Sequence, residues 1–198
     1  MNTWILRMAL AILLTFGNKS WNLRADVPLI SKNTNAINKT SLGDVAFGAT
    51  YIPYIDKKKG IAIRTRVVTN SSNDPNFGTG KWIIMPALFY GQYIGPTRNY
   101  LWLSTIESQN SFAGSSNRND VNTTLYENVV FRYFGKNWIA GDVTFRYNHI
   151  IDGFQNNAYI EYGRKLTSTN MIYIHPSVAF GGEKSYNYGL EVGLLVLF

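Results

Sequence analysis

An all-β fold is what this sequence predicts, and three observations predict it. Apolar and polar residues alternate with a period of two along most of the chain. Aromatics are numerous for 198 residues, with 5 Trp, 13 Tyr and 11 Phe, while helix formers are sparse. Most alternating segments run ten residues or more, whereas strands of soluble domains usually have about five or six. The expected architecture is one antiparallel up-and-down β-barrel of about ten strands, within a range of 10–12.

The strands are justified in chain order. Trp21, Leu23, Ala25, Val27 and Leu29 alternate with Asn22, Arg24, Asp26, Pro28 and Ile30, which predicts a strand over 20–31. Val45, Phe47, Ala49 and Tyr51 mark the next, over 42–53, and Ile61, Ile63, Thr65 and Val67 the third, over 60–70. Less regular strands are expected over 80–94, 99–109 and 121–134. In the last of these Glu127 falls on the face that reads as apolar. Ile139, Gly141, Val143, Phe145 and Tyr147 predict 138–148. Ala158, Ile160 and Tyr162 predict 156–165, and Ile172 to Phe180 predict 171–181. The final strand, 186–198, carries Tyr186, Tyr188, Leu190, Val192, Leu194, Val196 and Phe198 on one face and Asn187, Gly189, Glu191 and Gly193 on the other.

Residues 1–19 read differently. Arg7 precedes the apolar run Met8 to Phe16, the shape of a secretory signal. That run is too short to cross a bilayer as a helix, which takes about 20 residues. The expected organisation is therefore a signal-like or disordered N-terminus at 1–19 and a barrel domain at 20–198.

Loop lengths follow an alternating rule. Counted back from a C-terminus on the periplasmic side, the tight turns near 166–170, 135–137, 95–98 and 54–59 fall at one end. The connections near 182–185, 149–155, 110–120, 70–79 and 32–41 fall at the other, and the three longest of all are among these. Short periplasmic turns and long outer loops are the habit of outer-membrane barrels. In such a barrel the apolar stripe faces lipid, between girdles of aromatics at the strand ends. Trp21, Tyr51, Trp82, Tyr147, Tyr162 and Phe198 lie near strand ends. The opposite stripe is enclosed, so Arg24, Asp26, Asp44, Arg64, Arg66, Arg132, Asp142, Arg146, Glu161 and His175 are expected to line the lumen. With about ten strands, side chains would fill much of that lumen. A soluble barrel or sandwich would place the same apolar stripe inside, and alternation alone does not choose between the two.

Two features resemble known families. The ending Tyr188 to Phe198 resembles the C-terminal strand of bacterial outer-membrane proteins, with Leu190, Val192, Leu194, Val196 and Phe198 in the pattern read by the barrel-assembly machinery. The order Ser41-Leu42-Gly43-Asp44, then Phe77-Gly78-Thr79-Gly80-Lys81-Trp82 with Pro86 downstream, resembles the barrel family named for the MetA-pathway of phenol degradation. That resemblance spans most of 20–198 and implies a transporter-like barrel for small hydrophobic or aromatic solutes, N-terminally truncated relative to the family. The implied surroundings are the outer membrane of a Gram-negative cell, its lipid and the assembly machinery.

Other chemistry finds little support. The chain has no cysteine, which excludes disulfides and Cys-ligated metal. Gly78-Thr79-Gly80-Lys81 is not a phosphate loop, because Pro75 stands at its first Gly position and Trp82 at its Ser/Thr position. A His175–Ser177 dyad lacks a nucleophile turn. His149 and His175, the two histidines, make a zinc site an unfavourable reading. Asp74, Asp120 and Asp152 lack calcium-loop spacing. The net charge of +7 is not clustered as a nucleic-acid face requires. The sequence thus points to a non-enzymatic porin-like barrel without cofactor or metal, with transport as the first expectation. A structural or adhesive barrel is the alternative, and a barrel hydrolase a weaker one.

Overall fold

The computed structural model describes residues 6–18, 20–33, 38–182, 184 and 187–197. Among these, twelve strands form: β1 (Leu6–Gly17), β2 (Trp21–Asn33), β3 (Asn38–Leu42), β4 (Ala46–Ile55), β5 (Lys59–Val68), β6 (Lys81–Ile94), β7 (Tyr100–Gly114), β8 (Asn122–Phe134), β9 (Asn137–Asn148), β10 (Gly153–Lys165), β11 (Asn170–Gly181) and β12 (Tyr188–Leu197). The all-β, antiparallel up-and-down expectation holds. From β4 to β12 every strand pairs antiparallel with the next in the chain. β4 pairs with β2, and β3 adds a short ladder to the far half of β2.

Within the segment expected to be signal-like or disordered, Leu6–Gly17 has strand backbone, so among the described residues the sheet begins at Leu6. β1 is antiparallel to β2 and parallel to β12, so in the order of pairing it stands between them.

The tight connections gather at one end of the sheet. β4–β5, β6–β7, β8–β9 and β10–β11 are joined there by three, five, two and four residues. The β8–β9 turn is Gly135-Lys136, with Gly135 at φ 59°, the left-handed backbone a two-residue hairpin needs. Asp56 ties the β4–β5 turn: its Oδ1 accepts from the Lys58 and Lys59 amides at 2.6 and 2.8 Å. The Tyr54 hydroxyl, then these amides, hold the Asp56 carboxyl down at about 2. The opposite, long-loop end carries 69–80 and 115–121.

One face of the sheet is buried and the other is not, with the polarity of a water-soluble barrel reversed. Ile139 is 45 % exposed, Ile63 50 % and Ile160 65 %, while Glu107 is 4 %, Lys81 7 % and Asp142 3 % exposed. The buried face also carries apolar residues, including Ile83, Met85 and Ala87 of β6 and a cluster of Val129, Trp138 and Ala140. A single sheet buries a face only by curling upon itself. That curl is visible where side chains of β2, β6 and β8–β12 line one cavity, giving a barrel-like body.

The exposed stripe is itself ordered. Trp21, Tyr51, Tyr54, Tyr100, Phe134 and Tyr162 stand exposed towards the short-turn end, and Trp82, Phe112, Phe154 and Tyr188 towards the long-loop end. Aliphatic residues such as Leu23, Ile63, Leu88, Ile106, Val130, Ile160 and Ile174 lie exposed between. Trp21 and Tyr51, direct cross-strand partners, pack with ring centroids 4.8 Å apart. On β12, Tyr188 is exposed and Leu190, Val192, Leu194 and Val196 are half-buried on the same face. Phe198 and Tyr186 lie outside the described residues.

Candidate functional site

The enclosed face is where strand alternation places the charged side chains. On its β2–β7 side, Arg24 contacts Asp26 at 2.5 Å and Arg66 reaches Asp26 at 3.8 Å. Arg64 of β5 pairs with Glu107 of β7 at 2.6 Å, across β6, and lies over the Phe89 ring. Gln109 also donates to Glu107, at 2.8 Å. These are part-buried, charge-assisted contacts, whose partners cannot be removed singly without leaving an uncompensated charge.

Acids dominate the other wall. Glu127 (β8), Asp142 (β9), Glu161 (β10) and Glu191 (β12) all fall on it. Glu161 accepts from the Trp138 indole N–H at 2.6 Å and faces His175 Nδ1 at 3.4 Å. His175 Nε2 lies 3.5 Å from Glu191, which also accepts from the Tyr173 hydroxyl at 2.8 Å. Tyr159 and Tyr173 stack on the His175 ring with centroids at 4.5 and 5.6 Å. Both His175 nitrogens thus face carboxylates. Asp142 accepts from Thr144 at 3.0 Å. Arg146 donates to Asn157 at 3.3 Å.

Two aromatics reach across this face because their partners are glycines. Trp138 opposes Gly163 and Tyr173 opposes Gly193 in register. A Cβ on either glycine would overlap the facing ring. The indole and the phenol therefore lie down over the neighbouring strand, the arrangement known as aromatic rescue of a strand glycine. From there they reach Glu161 and Glu191.

Eight of the ten residues expected to line the lumen share this enclosed face: Arg24, Asp26, Arg64, Arg66, Asp142, Arg146, Glu161 and His175. Two do not. Arg132 is exposed on the outward face of β8, alternating with Val129, Phe131 and Tyr133, which pack inward. Its guanidinium sits 5.9 Å from the Tyr100 ring near the short-turn end. Glu127, on the other parity, is the inward charge of β8. The sequence misleads there because Tyr126, Val130 and Phe134 on one parity and Leu125, Val129 and Phe131 on the other are equally apolar. Asp44 is not on the wall at all. It lies in the connection between β3 and β4, where its carboxylate accepts from the Ser72 amide, the Thr79 amide and the Thr79 hydroxyl at 3.0, 2.6 and 2.9 Å.

Asp44 is the centre of a cap at the long-loop end. Arg118 donates to the carbonyls of Pro75, Gly78 and Thr79 at 2.7, 2.7 and 3.2 Å. Gly80 has φ 73°, and a Cβ there would lie 2.6 Å from Arg118 Cγ. A Cβ on Gly78 would lie 2.8 Å from Asp44 Oδ1. The Gly-Asp and Gly-Thr-Gly-Lys segments, 35 residues apart, are thus one structural unit, and their glycines serve close approach rather than phosphate binding. Phe77 is buried beneath this loop, with Lys32 5.5 Å from its ring centre. Lys39 pairs with Asp74 and Lys81 with Asp120, each at 2.7 Å, and each lysine draws its acid below the usual carboxylate range. His149, exposed at the same end, bonds Thr124 at 2.9 Å.

Among the described residues, the enclosed charges Lys81, Glu107 and Glu127 escaped the sequence reading, while Glu191 was placed on the polar face of its strand but not named as lining the lumen. The aromatic wall of Trp138, Tyr159 and Tyr173 escaped it as well, because it depends on which strands face each other.

This face opens into a cavity of 720 Å³ at the short-turn end. Tyr93, Phe131, Tyr133, Trp138 and Tyr173 form its wall, and Arg24, Arg98, Lys136 and Lys165 stand around it. Phe131 and Tyr133 stack with centroids 6.0 Å apart and planes 7° from parallel. Among the described residues, no group of three or more His, Cys, Asp or Glu is placed to hold a metal. Neither a family model nor a curated protein matches this chain.

Proposed function

We propose that the chain is an outer-membrane β-barrel that passes small solutes through a narrow, charged lumen. The observation carrying this reading is the reversed polarity of the sheet. Exposed Leu23, Ile63, Leu88, Ile139 and Ile160 surround enclosed Asp26, Lys81, Glu107 and Asp142. Water would penalise the first set and would solvate the second, whereas a bilayer reverses both preferences. Strands of 10–15 residues from β4 to β12 suit a hydrocarbon core, which takes about 9–11 tilted residues. The two aromatic bands fit the interfacial girdles of such barrels. The long-loop cap then lies outside and the tight turns in the periplasm. The resemblance to the MetA-pathway of phenol degradation family and the C-terminal assembly pattern point the same way, as does a lumen with basic and acidic walls that select by charge.

In planar bilayers the folded chain is expected to conduct. Neutralising the basic wall (Arg64→Gln with Arg66→Gln) should move the reversal potential towards cation selectivity under a salt gradient. The absence of conductance, or a reversal potential that the double substitution leaves in place, would remove the transport reading. A structural barrel whose bonded outer loops are its working part would then take its place.

A further inference from the structure

We propose that the cavity at the short-turn end is a binding vestibule for an amphipathic organic carboxylate, with the anion at its basic rim and the apolar body against its aromatic wall. The proposal rests on the lumen being the working surface of the chain, and it adds the class of ligand. At 720 Å³ the cavity is within the range that encloses small organic ligands, about 300–1,000 Å³. Its composition is unlike the rest of the enclosed face. Higher up, Arg64 is matched by Glu107 and His175 by two glutamates. Here four cations, Arg24, Arg98, Lys136 and Lys165, meet one lining acid, Glu161. Glu161 already accepts from Trp138 and faces His175, and Asp26, shared with Arg66, offsets only Arg24 of the four. The remaining positive field comes from Arg98, Lys136 and Lys165, which belong to three different hairpins and converge on one opening. Such convergence raises the local concentration of anions.

An inorganic anion would use the rim and leave the wall unused. The wall offers flat, stacked Phe131 and Tyr133 and a largely buried Trp138. Apolar surface gains by leaving water for such a wall, while a carboxylate stays at the wetter rim among cations. A neutral apolar solute would forgo the rim, and an organic cation would be repelled by it. Both flat and chain-like bodies share this chemistry, so both are tested.

The test uses the full chain folded in detergent micelles and fluorine NMR with 4-fluorobenzoate as probe. Saturable binding is expected with a Kd of about 1 mM or tighter. Replacing Lys136 and Lys165 together (K136Q with K165Q) should weaken it by about fivefold or more, because both side chains are exposed and part of the rim field is lost. Lys57→Gln, in a turn at the same end but away from the cavity, should leave the affinity unchanged. Displacement of the probe by hexanoate or by benzoate supports the proposal, and their ratio tells a chain-like body from a flat one. Equal affinity for benzylamine, no saturation, or indifference to the lysine pair would overturn it. Boiled and unboiled gel mobility of the same samples separates the two readings. A sample that shows the folded shift yet does not bind overturns the vestibule alone. One that never shows the shift overturns the barrel and the vestibule with it.

Discussion

Gly163→Leu is expected to abolish folding of the barrel, and Gly163→Ala to destabilise it by about 1–3 kcal/mol, the usual range for overpacking. Gly163 is the direct register partner of Trp138, and the indole occupies the space where a Cβ would stand. Adding even a methyl must lift Trp138 from its bed against Val129 and Ala140 and away from Glu161. A carboxylate that loses a donor on an enclosed wall is costly. The check is urea unfolding in detergent, read by heat-modifiable mobility. The interaction is also specific. In a Trp138→Leu background, which vacates the space above the glycine, the Gly163→Ala cost should fall to near zero. An alanine chain as stable as the parent would show that the indole lies elsewhere. Gly193, under Tyr173, is expected to behave in the same way.

Ile160→Arg is the second large effect, and it reports on surroundings rather than packing. Ile160 lies near the middle of β10 and is 65 % exposed. On the surface of a protein in water such a change costs within about 0.5 kcal/mol either way. At the midplane of a bilayer, an arginine on the outer face of a barrel costs about 2–4 kcal/mol. The expected result is a loss in that higher range when folding is measured into lipid vesicles. A smaller loss is expected for Phe134→Arg, at the end of β8, where the charge can reach headgroups. Arg132, outward and beside Tyr100 at that same end, shows that the position tolerates a guanidinium. Equal and negligible costs at both sites would place the outer face in water.

The strands were legible because their signal is local. Alternation in the segments now seen as β2, β4, β5 and β9–β12 sets both their extent and their facing, and their described ends agree to within a few residues. The tight turns were legible for the same reason, since Gly135-Lys136-Asn137 precedes the clear alternation from Ile139 to Tyr147. What escaped depends on contacts between distant residues. β8 carries apolar residues on both parities, so only its neighbours decide that Glu127 points in and Arg132 out. Asp44 alternates correctly with Val45 and Phe47 yet belongs to a connection, because Ser72 and Thr79, 28 and 35 residues on, draw its carboxylate into the cap. The apolar run of β1 lacks alternation, so it offers no facing to read. Register hides the pairing of Trp138 with Gly163 and of Tyr173 with Gly193, although each residue's parity was readable. The basic vestibule is hidden for a similar reason: Arg98, Lys136 and Lys165 belong to three separate hairpins.

The most direct measurement is a spin-label scan of β9 from Ile139 to Phe145 in lipid bilayers, comparing access by oxygen with access by a nickel chelate. Labels at Ile139, Gly141, Val143 and Phe145 should favour oxygen, which concentrates in acyl chains. Labels at Ala140, Asp142 and Thr144 should not. Nickel access at the four odd positions, or a chain that stays folded in water with those positions shielded, would contradict the reversed polarity on which the transport reading and the vestibule depend.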